Sequence, residues 1–355
     1  MGRTVAPHIG LLLVGLALAT TTAHADAVAD FYRGRQVSLI VGYGTGGGYD
    51  VYGRLFARHL GRHIPGNPNV VVQNMPGAGS LRAANHLYTT APKDGSAIAT
   101  FGRDMPLIGV IGHNSNVRFE ARKFTWLGSS SSYADDAYML FVRKDAAVTS
   151  IADARRAGGA PLILGGTGEG STGNDVPVLL RDALGLNIKL ITGYPDGNAI
   201  FIAVERKELD GRLVGLSATQ STRPDWLKPE SGMRVLLQFA RHTRHSQLPD
   251  VPTARELAPD DRARALIALA ELPYQLSRPF AAPPGVPADR AQALQAAFLA
   301  VHRDPLYLED AARLKVDVSP ISAEDVVRAI DAIAGAPPDL LDYMKKLLTE
   351  QKGGG

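Results

Sequence analysis

A run of apolar and β-branched residues, Val37-Ser38-Leu39-Ile40-Val41, passes straight into Gly42-Tyr43-Gly44-Thr45-Gly46-Gly47-Gly48-Tyr49-Asp50 and then into a segment of helical period. Strand, tight loop and helix follow one another, the repeating unit of an α/β protein. Glycines let the backbone take positive φ and let a ligand approach bare amides. The helix start adds unpaired N–H donors and partial positive charge, which suits an anion. The pattern recurs where Leu162-Ile163-Leu164 runs into Gly165-Gly166-Thr167-Gly168-Glu169-Gly170-Ser171-Thr172-Gly173-Asn174, followed by Val178-Leu179-Leu180. Ser171, Thr172 or Asn174 is the candidate cap of that second helix. Two anion-ready loops this far apart predict two α/β lobes facing each other.

Further strands are expected at Val70–Gln73, Ala97–Phe101, Tyr138–Val142, Lys189–Thr192, Gly211–Ser217 and Arg234–Phe239. Helical spacing of Tyr52, Leu55, Phe56, Leu60 and Ile64, and of segments 178–184 and 199–209, falls between them. Such alternation predicts parallel sheets with ligands beyond the C-terminal strand ends. The last third is punctuated by proline, with helices expected over 288–302, 322–334 and 338–348. Ser322 precedes two early acids, a sign of an N-cap.

The N-terminus reads as an export signal. Arg3 precedes an apolar core from Ile9 to Leu18, well short of the ~20 residues that span a bilayer. Ala23-His24-Ala25 is a small-x-small cleavage site, so the mature chain is expected to start near Asp26 in the periplasm. Absence of cysteine excludes disulfides, thiolate nucleophiles, cysteine-bound metals and a lipid anchor on cysteine. A net charge of +3 with no basic run gives no sign of nucleic-acid binding.

Enzyme motifs fail on inspection. Gly42-x-Gly44-x-x-Gly47 matches the dinucleotide fingerprint, yet no acid for a ribose lies between Asp50 and Asp94. No P-loop lysine follows the loop, and Glu169-Gly170 before Ser171 breaks the nucleophile-elbow pattern. His59 and His63 are spaced i, i+4 without an acid to complete a metal site, and read as ordinary polar-face residues. His242 and His245 sit in a basic stretch and read the same way. No cofactor and no metal are expected. Asp50, in the first helical turn, favours the macrodipole and can also order the glycine loop.

These segments resemble the extracytoplasmic solute receptors of tripartite tricarboxylate transporters, the TctC-like or Bug family. The resemblance runs along nearly the whole mature chain. It is carried by the 41–50 loop, Asn74-Met75-Pro76-Gly77-Ala78-Gly79-Ser80, Ala91-Pro92-Lys93-Asp94-Gly95, Leu248-Pro249-Asp250-Val251-Pro252-Thr253 with Glu256, and Ala282-Pro283-Pro284-Gly285-Val286-Pro287. It implies a type II periplasmic-binding-protein fold: two α/β lobes with a hinge and a ligand cleft between them. After a signal peptide over 1–25, residues 26–130 would form the first lobe and 131–245 the second, with 246–355 returning to the first and adding the C-terminal helices. Hinge crossings are expected near Ser129–Tyr138 and between Phe239 and Phe280.

The same resemblance implies a receptor that closes on a small organic anion and hands it to membrane permease subunits, without catalysis. That anion would be a mono-, di- or tricarboxylate or an aromatic acid, and a monomer is the expected state. The first lobe would bring Tyr43, Thr45, Gly46, Gly47, Gly48, Tyr49, Asp50, Gly77, Ala78, Gly79, Gly102, Arg103 and Asp104 to the cleft. The second would bring Thr167, Ser171, Thr172, Asn174, Gly197 and Asn198. Four residues depart from the family pattern: Met75, Tyr49, Arg103 and Asp104. Arg103 either reads a distal carboxylate or pairs with Asp104. Tyr43 and Tyr49 either sandwich a ligand or wall the cleft. Two other functions are compatible with these residues: a sensor of the same fold serving a signalling receptor, and an exported hydrolase using Ser171.

Overall fold

The structure, a computed structural model, describes residues 27–349 apart from 113–114, 133–136 and 170. The expected leader and the tail Gly353-Gly354-Gly355 lie outside the described residues.

Strands β1 (Gln36–Val41), β2 (Asn69–Asn74), β3 (Ala97–Thr100), β4 (Thr125–Ser129), β10 (Pro279–Ala282) and β11 (Ile321–Ser322) form one sheet, ordered β11-β4-β10-β3-β1-β2. Strands β5 (Tyr138–Arg143), β6 (Leu162–Gly165), β7 (Ile188–Ile191), β8 (Gly211–Gly215) and β9 (Met233–Phe239) form a second, ordered β7-β6-β8-β5-β9. The helices are α1 (27–32), α2 (Gly48–Leu60), α3 (Leu81–Thr89), α4 (Met105–Ile111), α5 (Ile151–Ala154), α6 (Thr172–Leu184) and α7 (Gly197–Glu205). They continue with α8 (Leu216–Thr222), α9 (Asp261–Glu271), α10 (Ala288–Val301), α11 (Pro305–Leu314), α12 (Ala323–Ala334) and α13 (Pro338–Thr349).

Both sheets are mixed, not parallel as expected. β1 pairs in parallel with β2 and β3, but β10 runs antiparallel to β3 and β4. In the second sheet β6 is parallel to β7 and β8, while β5 is antiparallel to β8 and β9. The strands that carry the chain between the sheets enter against the grain of the βα units. The segment expected as a strand over 211–217 ends at Gly215, because Leu216 opens α8.

Alternation along each strand builds a core on both faces. In the first sheet Leu39, Ile98 and Phe280 face one cluster with Phe56 and Phe298, and Ile40, Ala97, Ala99 and Ala281 face another with Phe101 and Trp126. In the second, Leu140, Leu164 and Leu213 face helices α6 and α9, while Met139, Phe141 and Val214 pack with Phe201 and Trp226. Each fully buried Leu or Phe side chain contributes roughly 1.5–3 kcal/mol.

The chain leaves the first sheet at Ser129 and enters the second at Tyr138. It leaves the second at Phe239 and rejoins the first at Pro279. The two crossings lie side by side: Ser130 N donates to Arg278 O (3.0 Å) and Arg278 N donates to Ser129 Oγ (3.0 Å). Segment 246–355 is divided between the lobes. Leu266 and Ile267 of α9, and Met344 and Leu348 of α13, share a core with Leu164 of β6 and Leu179 of α6. α13 therefore packs against α6 and α9 of the second lobe and also against α4 of the first. Among the described residues no helix is long and apolar enough to cross a membrane.

Candidate ligand site

The first glycine loop is held from below. Asp50, buried in the first turn of α2, accepts from Gly46 N (2.9 Å), Asn74 Nδ2 (2.8 Å) and Arg54 Nε (2.9 Å). Asn74 Nδ2 also donates to Tyr43 O (2.9 Å). Burial alone would raise the Asp50 pKa, but these donors outweigh it and hold the carboxyl below its ordinary range. Asp50 thus fixes the loop and is not part of the cavity wall.

Three helix N-termini open on the gap between the lobes. α2 starts after Gly47, α6 after Ser171 and α8 after Gly215, and none has a side-chain cap bond. The Ser171 hydroxyl turns back to donate to Gly168 O (2.7 Å). First-turn amides therefore remain available to an anion. α7, starting at Gly197, joins them but is capped by Asp196.

These ends surround a cavity of about 110 Å³. Tyr43, Gly47, Gly48, Tyr49 and Arg103 line it from the first lobe, and Thr167, Ser171, Thr172 and Gly197 from the second. Gly46 and Asn198 line a crevice beside it. Ala78 and Gly79 sit where the lobes touch, against Gly168 and Glu169, whereas Gly77 faces Arg82 of its own lobe; Gly102 N donates to Ser80 Oγ (2.6 Å) in the same region. Asn174 is buried behind the second glycine loop, against Gly166. Thr45 is exposed and does not line the cavity. Tyr43 and Tyr49 stack on each other, centroids 4.6 Å apart, so they wall the cleft instead of sandwiching a ligand.

Three arginines dominate the cavity's electrostatics. Arg103, Arg212 and Arg278 are 2%, 7% and 3% exposed. None has a carboxylate within ion-pair distance among the described residues, and the Nε of each is buried without a hydrogen-bond partner. Arg103 lies over the rings of Tyr138 (4.3 Å) and Tyr274 (4.8 Å), and Nη1 donates to Ser277 Oγ (3.2 Å). Arg278 lies over Tyr49 (4.8 Å) and donates to Tyr138 OH (3.3 Å). Arg212 lies over Phe201 (4.1 Å) and donates to Gly197 O. Burial lowers the Arg212 pKa to about 9, Asp196 opposing and Arg223 adding to the effect, so the group stays charged at neutral pH. Asp104 forms no ion pair with Arg103; it accepts from Thr172 Oγ1 across the cleft (3.5 Å), and burial, which outweighs the pull of the Arg103 charge, raises its pKa to about 7. The site is strongly cationic.

Sequence reasoning passed over Arg212, Arg278 and Tyr138. The available signal was a charge inside an otherwise apolar strand, Gly211-Arg212-Leu213-Val214-Gly215, and an arginine at the mouth of Pro279-Phe280-Ala281-Ala282. His59 and His63 are not free polar-face residues: they contact Asp310 (3.0 Å) and Asp304 (2.8 Å) of the α11 region. No cluster that would hold a metal occurs among the described residues.

Comparison with known proteins places this geometry. A 37% identical stretch of 90 residues, 25% of this chain, matches the "UPF0065 protein in gbd 5'region" of Cupriavidus necator and spans 27% of that relative's length. The periplasmic binding protein BugD superposes with a TM-score of 0.69 at 20% identity, over 89% of this chain and 98% of BugD. R. palustris Rpa4515, solved with adipate, superposes with a TM-score of 0.68 at 21% identity, over 89% of this chain and 97% of its own. The two-lobed periplasmic-binding fold is thereby established. The model of the tripartite tricarboxylate transporter family receptor matches residues 56–334, which span both lobes and both crossings, and the chain belongs to that family.

Proposed function

We propose that this protein is a periplasmic receptor that captures a small organic carboxylate by lobe closure and delivers it to the membrane permease of its transporter. The observation that carries this reading is the set of three buried guanidiniums, unpaired with protein carboxylates, in an interlobe cavity ringed by helix N-termini. Removing a partner from a buried charge pair costs about 3–5 kcal/mol, so lobes that close around these arginines alone are disfavoured. A carboxylate in the cavity supplies the opposite charge and stabilises the closed form over the open one. Only such differential affinity shifts the equilibrium. The adipate held by the R. palustris relative supports a carboxylate as the ligand class.

The hydrolase reading loses ground: the Ser171 hydroxyl donates to a carbonyl, and no histidine lines the cavity among the described residues. The test is a thermal-shift screen of the refolded mature protein against mono-, di- and tricarboxylates. A ligand at a hundred times its Kd adds about 2.7 kcal/mol to the native state, roughly 5 °C or more in Tm. Stabilisation by a carboxylate class supports the reading; stabilisation by no carboxylate overturns it.

A further inference from the structure

The first glycine loop meets the second lobe along a seam. Gly46 is the left-handed residue of the loop, φ +82°, and a Cβ there would meet nothing. Gly44, Gly47 and Gly48 have no such backbone demand. They face the second lobe instead. A Cβ on Gly47 would lie 4.0 Å from Gly197 N, and one on Gly48 would lie 3.7 Å from Ala218 Cβ, both ordinary contacts. Gly44 differs: a Cβ there would fall 2.7 Å from Asp196 Oδ2, 3.4 Å from its Cγ and 3.3 Å from its Cβ. The Asp196 side chain occupies the space that a side chain at position 44 would need. Its other oxygen, Oδ1, accepts from Ala199 N (2.9 Å) and caps α7. The Asp196 charge also acts on Arg212, against the burial that lowers the pKa of that guanidinium. Arg212 Nη1 donates to the carbonyl of the next residue, Gly197. One short path therefore runs from the first lobe's loop through Asp196 and Gly197 to an arginine of the cavity wall.

We propose that Asp196 is a positioning residue that seats over Gly44 when the lobes close, sets how far they close, and so brings Arg212 to its place in the cavity wall. The inference rests on the receptor reading and deepens it. Gly44 is bare to admit the carboxylate, not to turn the chain. Opening the lobes withdraws Asp196 from the loop and takes α7 and Arg212 with it. The contact thus belongs to the closed form alone and adds to the free-energy difference between the two states.

The chain has no cysteine, so two introduced thiols can pair only with each other within one molecule. Gly44→Cys with Asp196→Cys sets them at a Cβ separation close to the ~3.5–4.5 Å of a disulfide. The ligand-free double variant is compared by small-angle scattering before and after treatment with diamide, which takes up the two thiol hydrogens as the S–S bond forms. Loss of the α7 cap affects the reduced and oxidised forms alike. The expected result is an intramolecular cross-link, seen by mass spectrometry as the loss of two hydrogens, and a compact protein without ligand that extends again on reduction. No cross-link, or a cross-link that leaves the protein as extended as before, would overturn the inference. Where the cysteines spoil the fold, a steric pair decides. Gly44→Ala should leave the ligand-free Tm unchanged and weaken adipate, or the acid that most stabilises the wild-type protein in the screen, about 10- to 100-fold, as for overpacking of a close contact. Adding Asp196→Ser keeps a capping hydroxyl and removes the oxygen that faces residue 44, so binding should recover to within about threefold of wild type, the coupling expected of groups in contact. Additive losses would overturn the inference and leave the receptor reading standing. Stabilisation by no carboxylate overturns the receptor reading, and the cross-link still decides whether Asp196 seats over Gly44.

Discussion

Asp104 is 4% exposed, and burial raises its carboxyl pKa from the ordinary aspartate range to about 7. Arg103 and the Thr172 hydroxyl pull the other way and do not prevail. Above pH 7 an ionised Asp104 adds negative charge where the ligand must bring its own. Carboxylate ligands, with ordinary pKa values near 4–5, stay ionised throughout. Affinity should therefore fall as pH rises from 6 to 8, by at most about tenfold per unit, and Asp104→Asn should flatten that dependence. A flat wild-type profile would mean that Asp104 does not couple to the ligand. Without ligand the same raised pKa adds stability that is complete below the ordinary aspartate value and is lost as pH rises through 7. Asp50 has the opposite sign: its lowered pKa contributes stability above the ordinary value that disappears on acidification. Asp50→Ala should loosen the 42–50 loop and weaken ligand binding about tenfold, with the second lobe's fold unchanged by circular dichroism. Arg103 was legible in the sequence because it departs from a family pattern. Arg212 and Arg278 were not, since one sequence does not reveal which strand end faces a cleft.

At the scale of elements, the βα units were readable wherever a β-branched run met a glycine cluster. β1, β2, β3 and β6 lie within a residue or so of where they were expected. β4 and β10 were missed for a physical reason. Thr125-Trp126-Leu127-Gly128-Ser129 contains a glycine, and Pro279-Phe280-Ala281-Ala282 has a proline and two alanines, all poor strand formers. Long-range pairing makes them strands: β4 with β10 and β11, and β10 also with β3. The Leu248–Thr253 signature turned out to be scaffold: its carbonyls at Leu248 and Val251 accept from Gln238 Nε2 (2.9 and 2.7 Å), and Glu256 closes the turn on Thr253 N (2.7 Å). Ser322, expected as a cap, forms a capping box with Asp325. Ser322→Ala should cost about 1 kcal/mol of stability, read as a lower Tm, with ligand affinity unchanged. A change in affinity would tie α12 to the cleft.

Across the whole molecule, the lobes meet closely. A Cβ on Gly44 would fall 2.7 Å from Asp196 Oδ2, and one on Gly79 would fall 2.1 Å from Glu169 O. Gly79 also has φ +61°, in a turn where Gly77, Ala78 and Ser80 are left-handed too. Gly79→Ala should therefore obstruct closure while straining only its own turn, lowering affinity more than tenfold and keeping the protein extended with ligand present; normal compaction would show that this contact is dispensable. The strap formed by α13 adds a second tie between the lobes, because Leu107 and Ile111 of α4 share its core. Closure is thus shaped by backbone contact and driven by charge compensation. The most direct measurement is small-angle scattering of the refolded, ligand-free protein and of the same protein with a saturating dicarboxylate. The account predicts an extended protein alone and a compact one with the dicarboxylate. A protein equally compact in both, or one that binds the dicarboxylate without compaction, would contradict it.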